Sequence, residues 1–158
     1  MLGIKVPPGV DDRTRLRLTG EGEAGVHGGS TGDLYVVLRV REHRFFERRG
    51  DDLFCTVPIS ISQAILGTEI KVPTLSGDER LRVPEGTQSG TAFRVRGAGM
   101  PNLNDRGNGD LYVTVQVVMP TNLPRAQRRV LEGIDSFLRV DNKPVERRPQ
   151  KRTKHYDA

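Results

Sequence analysis

The sequence predicts a mainly β protein of two tandem related β-sandwich units, the first truncated, with a short helix in the second unit and a C-terminal amphipathic helix. Three observations carry this. Eighteen glycines and ten prolines are spread through 158 residues of which only 35% are hydrophobic, a balance that favours short strands joined by turns over a helical bundle. Several segments alternate apolar and polar residues with period two, the spacing of a strand with one buried face. The third is that Gly-Asp-Leu-Tyr-Val occurs at 32–36 and again at 109–113.

The recurrence extends well beyond those five residues. Displaced by 77 positions, the chain aligns with itself without a gap over 4–40, pairing Val6, Pro7, Gly9, Thr14, Arg17, Gly20 and Gly22 with identical residues at 83, 84, 86, 91, 94, 97 and 99. About two or three such matches would arise by chance at ordinary residue frequencies. The chain therefore carries two copies of one structural unit.

Taken in order, each matched residue has a strand-and-turn duty. Pro7 lacks the N–H a sheet interior needs and Gly9 permits a positive φ, so 6–9 reads as a strand end and tight turn. Residues 14–18 and 91–95 alternate as strands, and glycines 20, 22, 97 and 99 end them. The loops at 23–31 and 100–108 differ freely, as surface connections do. Gly-Asp then opens the returning strand in each copy. The second copy is preceded by more chain: 53–57 alternates until Pro58, Ser60 or Ser62 caps a short helix over 63–66 stopped by Gly67, and 69–72 with 80–83 flank a hairpin turn at 76–78. The first copy has only three residues before Ile4, so it is expected to be half a domain, with the chain beginning mid-unit. After Pro120 the period changes. Thr121 or Asn122 can cap, Pro124 suits a first turn, and Val130, Leu131, Ile134, Phe137 and Leu138 form an apolar stripe on a helix of about four turns ending near Arg139. That stripe packs on its own sheet or across a dimer. Residues 140–158, rich in Lys, Arg and Pro, read as a solvated basic tail.

These residues argue against several functions. Cys55 is alone, and the three histidines form no pair at metal-ligand spacing, so neither a disulfide framework nor a zinc site is expected. The glycines near 20–25 and 97–99 lack the following helix and Lys-Ser/Thr of a phosphate-binding loop. Asp33, Asp51, Asp52 and Asp110 have turn or strand-start duties, no histidine sits where it could couple to a serine or cysteine, Cys55 reads as an inert thiol, and His43 reads as a structural residue beside Phe45 and Phe46; no catalytic residue is expected. The net charge of +5 is concentrated in the tail and aromatics make up 5%, which supports weak, salt-sensitive attraction to nucleic acid rather than a specific complex. With no long apolar span and no signal-peptide pattern, a cytoplasmic protein is expected.

Over 4–138 the chain closely resembles the C-terminal substrate-binding and dimerisation region of DnaJ-type J-domain co-chaperones, the heat-shock protein 40 family. The most distinctive pieces are His43-x-x-Phe46-x-Arg48-x-Gly50-x-Asp52-Leu53 and Gln63-Ala64-x-Leu66-Gly67. The resemblance implies 1–42 as the C-terminal half of a first β-sandwich, 43–120 as a second, 121–139 as a dimerisation helix and 140–158 as a tail. It implies binding of unfolded polypeptide clients, homodimerisation and delivery to a DnaK-type seventy-kilodalton chaperone. Val36 aligns with a client-groove position of the family, and Leu16, Leu18, Leu34 and Leu38 are its strand neighbours by period-two spacing, some of which must face the core instead; Val130, Leu131, Ile134, Phe137 and Leu138 would form the dimer interface. The family's J-domain with its His-Pro-Asp loop and its Cys-rich zinc modules have no counterpart in these residues, so no cofactor is expected here and the chain is not expected to stimulate the partner ATPase alone.

Overall fold

Period-two alternation and glycine-terminated runs resolve into eight strands and two α-helices in the computed structural model, which describes residues 3–23, 25, 29–103 and 107–147. The chain divides into two units, Met1–Met119 and Pro120–Ala158. In the first unit, β1 (Arg15–Leu18) pairs antiparallel with β2 (Leu34–Val37). Strands β3 (Glu47–Arg49), β4 (Asp52–Ser60), β7 (Ala92–Val95) and β8 (Leu111–Val118) form a sheet in the order β3-β4-β8-β7. Between β4 and β7 lie α1 (Ile61–Leu66) and the hairpin of β5 (Thr68–Thr74) and β6 (Gly77–Val83).

The four-stranded sheet is mixed. β4 runs parallel to β8 from Leu53↔Leu111 to Ser60↔Val118, while β7 is antiparallel to β8. A parallel pair needs a long crossover; here it contains α1, the hairpin and β7. Side chains of Leu53, Cys55 and Ile59 on β4 and Leu111, Val113 and Val115 on β8 point to one face and are buried. Val72 of β5 packs with Leu53, Cys55, Leu111 and Val113, and Val83 of β6, with Ala64 of α1, packs with Ile59 and Val115. The second copy is thus a two-layer sandwich whose two apolar clusters are bridged by Ile70.

Pro58 does not interrupt the strand at 57, contrary to the sequence reading, and β4 continues to Ser60. The Leu53 N–H donates to the Asp110 carbonyl, so odd-numbered residues of β4 bond toward β8 and Pro58 lacks its N–H on the opposite side. β3 pairs only with 52–54, so no ladder bond is lost at Pro58. The expected short helix is present with its cap: Ser60 Oγ accepts from Gln63 N at 3.1 Å, Gln63 Oε1 accepts from Ser60 N at 2.9 Å, and Gly67 ends the helix at φ 77°. This reciprocal pair is a capping box. The β5–β6 turn falls at Leu75-Ser76, one residue earlier than 76–78, because the strands pair through Thr74↔Gly77.

In the second unit, α2 (Arg125–Ile134) passes into a 3-10 turn at Asp135–Phe137. The helix is shorter than the 121–139 the stripe suggested. Neither Thr121 nor Asn122 caps it; Pro124 occupies the cap position without a side-chain bond, and its carbonyl accepts from Arg128 N. Proline fixes φ near the helical value and needs no donor at a helix start, so the preceding residues stay outside. Residues 140–147 form neither helix nor strand, and 148–158 of the expected tail lie outside the described residues.

Candidate functional site

The two copies fold alike, down to single hydrogen bonds. In β1–β2 the register is Arg15↔Val37 to Leu18↔Leu34; in β7–β8 it is Ala92↔Thr114 to Val95↔Leu111, each position displaced by 77. At the base of each pair an aspartate locks the turn. Asp33 Oδ1 accepts from Gly20 N at 3.0 Å and its Oδ2 from Arg17 Nε at 2.6 Å; Asp110 accepts from Gly97 N at 3.0 Å and from Arg94 Nε at 2.7 Å. The backbone donors, with the arginines beside them, hold both carboxyls below the usual aspartate range. Gly20 and Gly97, at φ 77° and 72°, stand where a side chain would be strained. These aspartates therefore have the turn duty the sequence assigned them.

Alternation sorts β1–β2 into two faces. Leu16, Leu18, Leu34, Val36 and Leu38 lie half-buried on one side, so the structure brings all five expected client-contact residues together. Their counterparts in the second copy are Phe93, Val95, Leu111, Val113 and Val115, the last three completely buried beneath β5–β6 and α1. The face proposed for clients is thus the face that the second copy uses as its core. The opposite side carries Arg15, Arg17, Tyr35 and Val37, with Tyr35 60% and Val37 61% exposed. The counterpart of Tyr35, Tyr112, is instead stacked on Phe54 with ring centres 5.1 Å apart, and Arg49 lies 4.9 Å over Phe54. The exposed Tyr35 and Val37 were not singled out from sequence, although the same alternation marks them as the outward set.

An open cleft of about 1300 Å³ lies beside the 40–50 segment, and its lining includes Asp11, Val40, Phe45, Phe46, Arg48 and Met100. His43 Nδ1 accepts from Phe45 N at 3.1 Å and its ring packs 4.9 Å from Phe46, the structural role expected of it. Phe46 is buried in the apolar centre. Asp52 Oδ1 accepts from Asp110 N and Asp51 Oδ2 from Asn102, tying the start of β4 to β8 and its preceding loop. The motif at 43–53 therefore acts as a structural joint.

In the second unit, the apolar stripe faces solvent among the described residues: Val130, Leu131, Ile134, Phe137 and Leu138 are all exposed, Phe137 by 84%. Among the described residues no three His, Cys, Asp or Glu side chains come together as a metal site. Cys55 is buried, and burial pushes its thiol pKa up; a protonated, enclosed thiol is a poor nucleophile and a poor ligand. Zinc therefore has no fitting donor set in these residues. No helix among the described residues is long and apolar enough to cross a membrane.

Comparison with known proteins gives this geometry its context. Residues 1–120 match the family described as DnaJ C terminal domain. The chain belongs to the DnaJ C-terminal domain family. It is 53% identical over 132 residues to the chaperone protein DnaJ of Geobacillus thermodenitrificans, covering 84% of this chain and 35% of that protein. It is 54% identical over 131 residues to that of Brevibacillus choshinensis, with coverage of 83% and 35%, and 52% identical over 130 residues to that of Bacillus cytotoxicus, with coverage of 82% and 36%. The chain spans about a third of the length of these relatives. The relatives bear the name of chaperones rather than of enzymes. Both copies of the strand pair and the joint at 43–53 lie within the residues that match this family.

Proposed function

We propose that this chain is a co-chaperone's client-binding region: it holds unfolded or non-native polypeptide on the apolar face of β1–β2, pairs with a second copy through the α2 stripe, and hands clients to a DnaK-type chaperone in the cytoplasm. The observation that carries the reading is the match of residues 1–120 to the DnaJ C-terminal domain family. Within that match, Leu16, Leu18, Leu34, Val36 and Leu38 gather on one apolar face of β1–β2, against which an extended client can lie. Main-chain bonds to a strand edge plus apolar contacts suit recognition of many sequences, since neither reads a particular side-chain order.

Residues 1–42 then act as the returning half of a first β-sandwich and 43–120 as the second. Pairing through Val130, Leu131, Ile134, Phe137 and Leu138 makes the binder bivalent, so two weak faces on one unfolded chain gain avidity through effective concentration. No cofactor takes part, and no catalytic step is involved. Sedimentation tests the pairing. The chain should be dimeric at micromolar concentration and Ile134→Asp monomeric, because a charge in an apolar interface is costly to desolvate. A monomeric parent chain would remove α2 as the interface.

A further inference from the structure

Arg48 makes more contacts across the joint than any sequence pattern reveals. Its Nη1 donates to the Val10 carbonyl at 2.5 Å, its Nη2 to the Gly9 carbonyl at 3.1 Å and its Nε to the Gly50 carbonyl at 2.7 Å. Asp51 Oδ1 lies 3.8 Å from the same Nη2, and the Arg48 side chain is only 20% exposed. The planar guanidinium thus spans the β3–β4 turn and a loop 38 and 39 residues earlier. That loop is also held from its far side: Gly9 has φ 87°, and a Cβ there would stand 2.1 Å from the Pro101 carbonyl oxygen. Beyond it, Asp11 closes a tight turn, accepting from Arg13 N at 2.9 Å while Asp11 N donates to Thr14 Oγ1 at 3.0 Å, and β1 begins immediately afterwards.

The duplicated unit supplies an internal comparison. The loop equivalent to Gly9-Val10 is Gly86-Thr87, and its N–H groups donate to the Ile65 and Ala64 carbonyls at the end of α1. In the second copy the loop's N–H groups are taken up by a helix end; in the first, its carbonyls are taken up by the Arg48 side chain. We propose that Arg48 is the positioning residue that fixes the direction of the β1–β2 pair against the second sandwich, through a rigid path from guanidinium to Gly9-Val10 to the Asp11 turn to β1. On the client-binding reading given above, this sets the spacing between client faces in a dimer. Lysine cannot replace it, because one ammonium on a flexible stem does not present the guanidinium's fork of donors to three separate carbonyls.

The test is the distance distribution between spin labels at Val37→Cys and Gln116→Cys, both exposed, in a Cys55→Ala background diluted with unlabelled chain. The expected result is a narrow distribution that widens about twofold or more in Arg48→Ala and in Arg48→Lys, and also in Gly9→Ala, which attacks the joint from the Pro101 side. Arg49→Ala, one residue along and stacked on Phe54, should leave it narrow. An unchanged width in folded Arg48→Ala and Arg48→Lys overturns the proposal. With labels absent, Arg48→Lys should bind a short single-site peptide as the parent does and a long unfolded client about tenfold more weakly. Widened distances with undiminished long-client affinity would leave the joint standing and overturn its part in client capture.

Discussion

At the scale of single residues, equivalent positions in the two copies act as internal controls for one another. Asp33 and Asp110 make the same bonds, and both have folded pKa values below that of an unfolded aspartate, about 3.9. A depressed carboxylate contributes stability that is complete above the unfolded pKa and is lost as pH falls through the folded one. Thermal unfolding should therefore show a drop in melting temperature below about pH 4 that is smaller in the Asp33→Asn/Asp110→Asn double variant. A second contrast concerns burial. Leu111, fully enclosed, should cost about 2–5 kcal/mol when replaced by alanine. Its half-buried counterpart Leu34 should cost about 1 kcal/mol. Chemical denaturation measures both; equal losses would mean that the face of β1–β2 is sealed in solution.

At the scale of elements, local chemistry was legible and long-range pairing was not. The cap and the stop at Gly67 are written within eight residues of sequence: of the two serines it offered, Ser60 caps, and the helix starts at Ile61 rather than 63. Ser60→Ala should lower stability by about 1 kcal/mol in a denaturant titration. The strand pairs of the two copies were legible because their registers repeat with the 77-residue displacement. The parallel partnership of β4 and β8 joins residues 58 apart, and nothing in either strand alone announces it. β3 was missed since Glu-Arg-Arg is too short and too charged to show alternation. Pro58 misled because its effect depends on which edge faces a partner. For the C-terminal stripe, apolar spacing continued past the point where the α-helix tightens into a 3-10 turn, so periodicity overstated helix length.

At the scale of the whole molecule, the candidate site was half legible. Alternation made Leu16, Leu18, Leu34, Val36 and Leu38 strand neighbours but left open which of them turn toward a core; the fold puts all five on one face, the face that is core in the second copy. That distinction needs the covering layer of β5–β6, which only the fold displays. Arg48 stood in a recognised motif, yet its role depends on carbonyls nearly forty residues away. The most direct test of client capture compares two neighbouring substitutions that point in opposite directions from β2. Suppression of light scattering by a chemically denatured client should be strong for the parent chain and for Val37→Asp, and largely lost for Val36→Asp with its circular dichroism intact. Equal suppression by both variants, or loss in Val37→Asp alone, would contradict capture on that face.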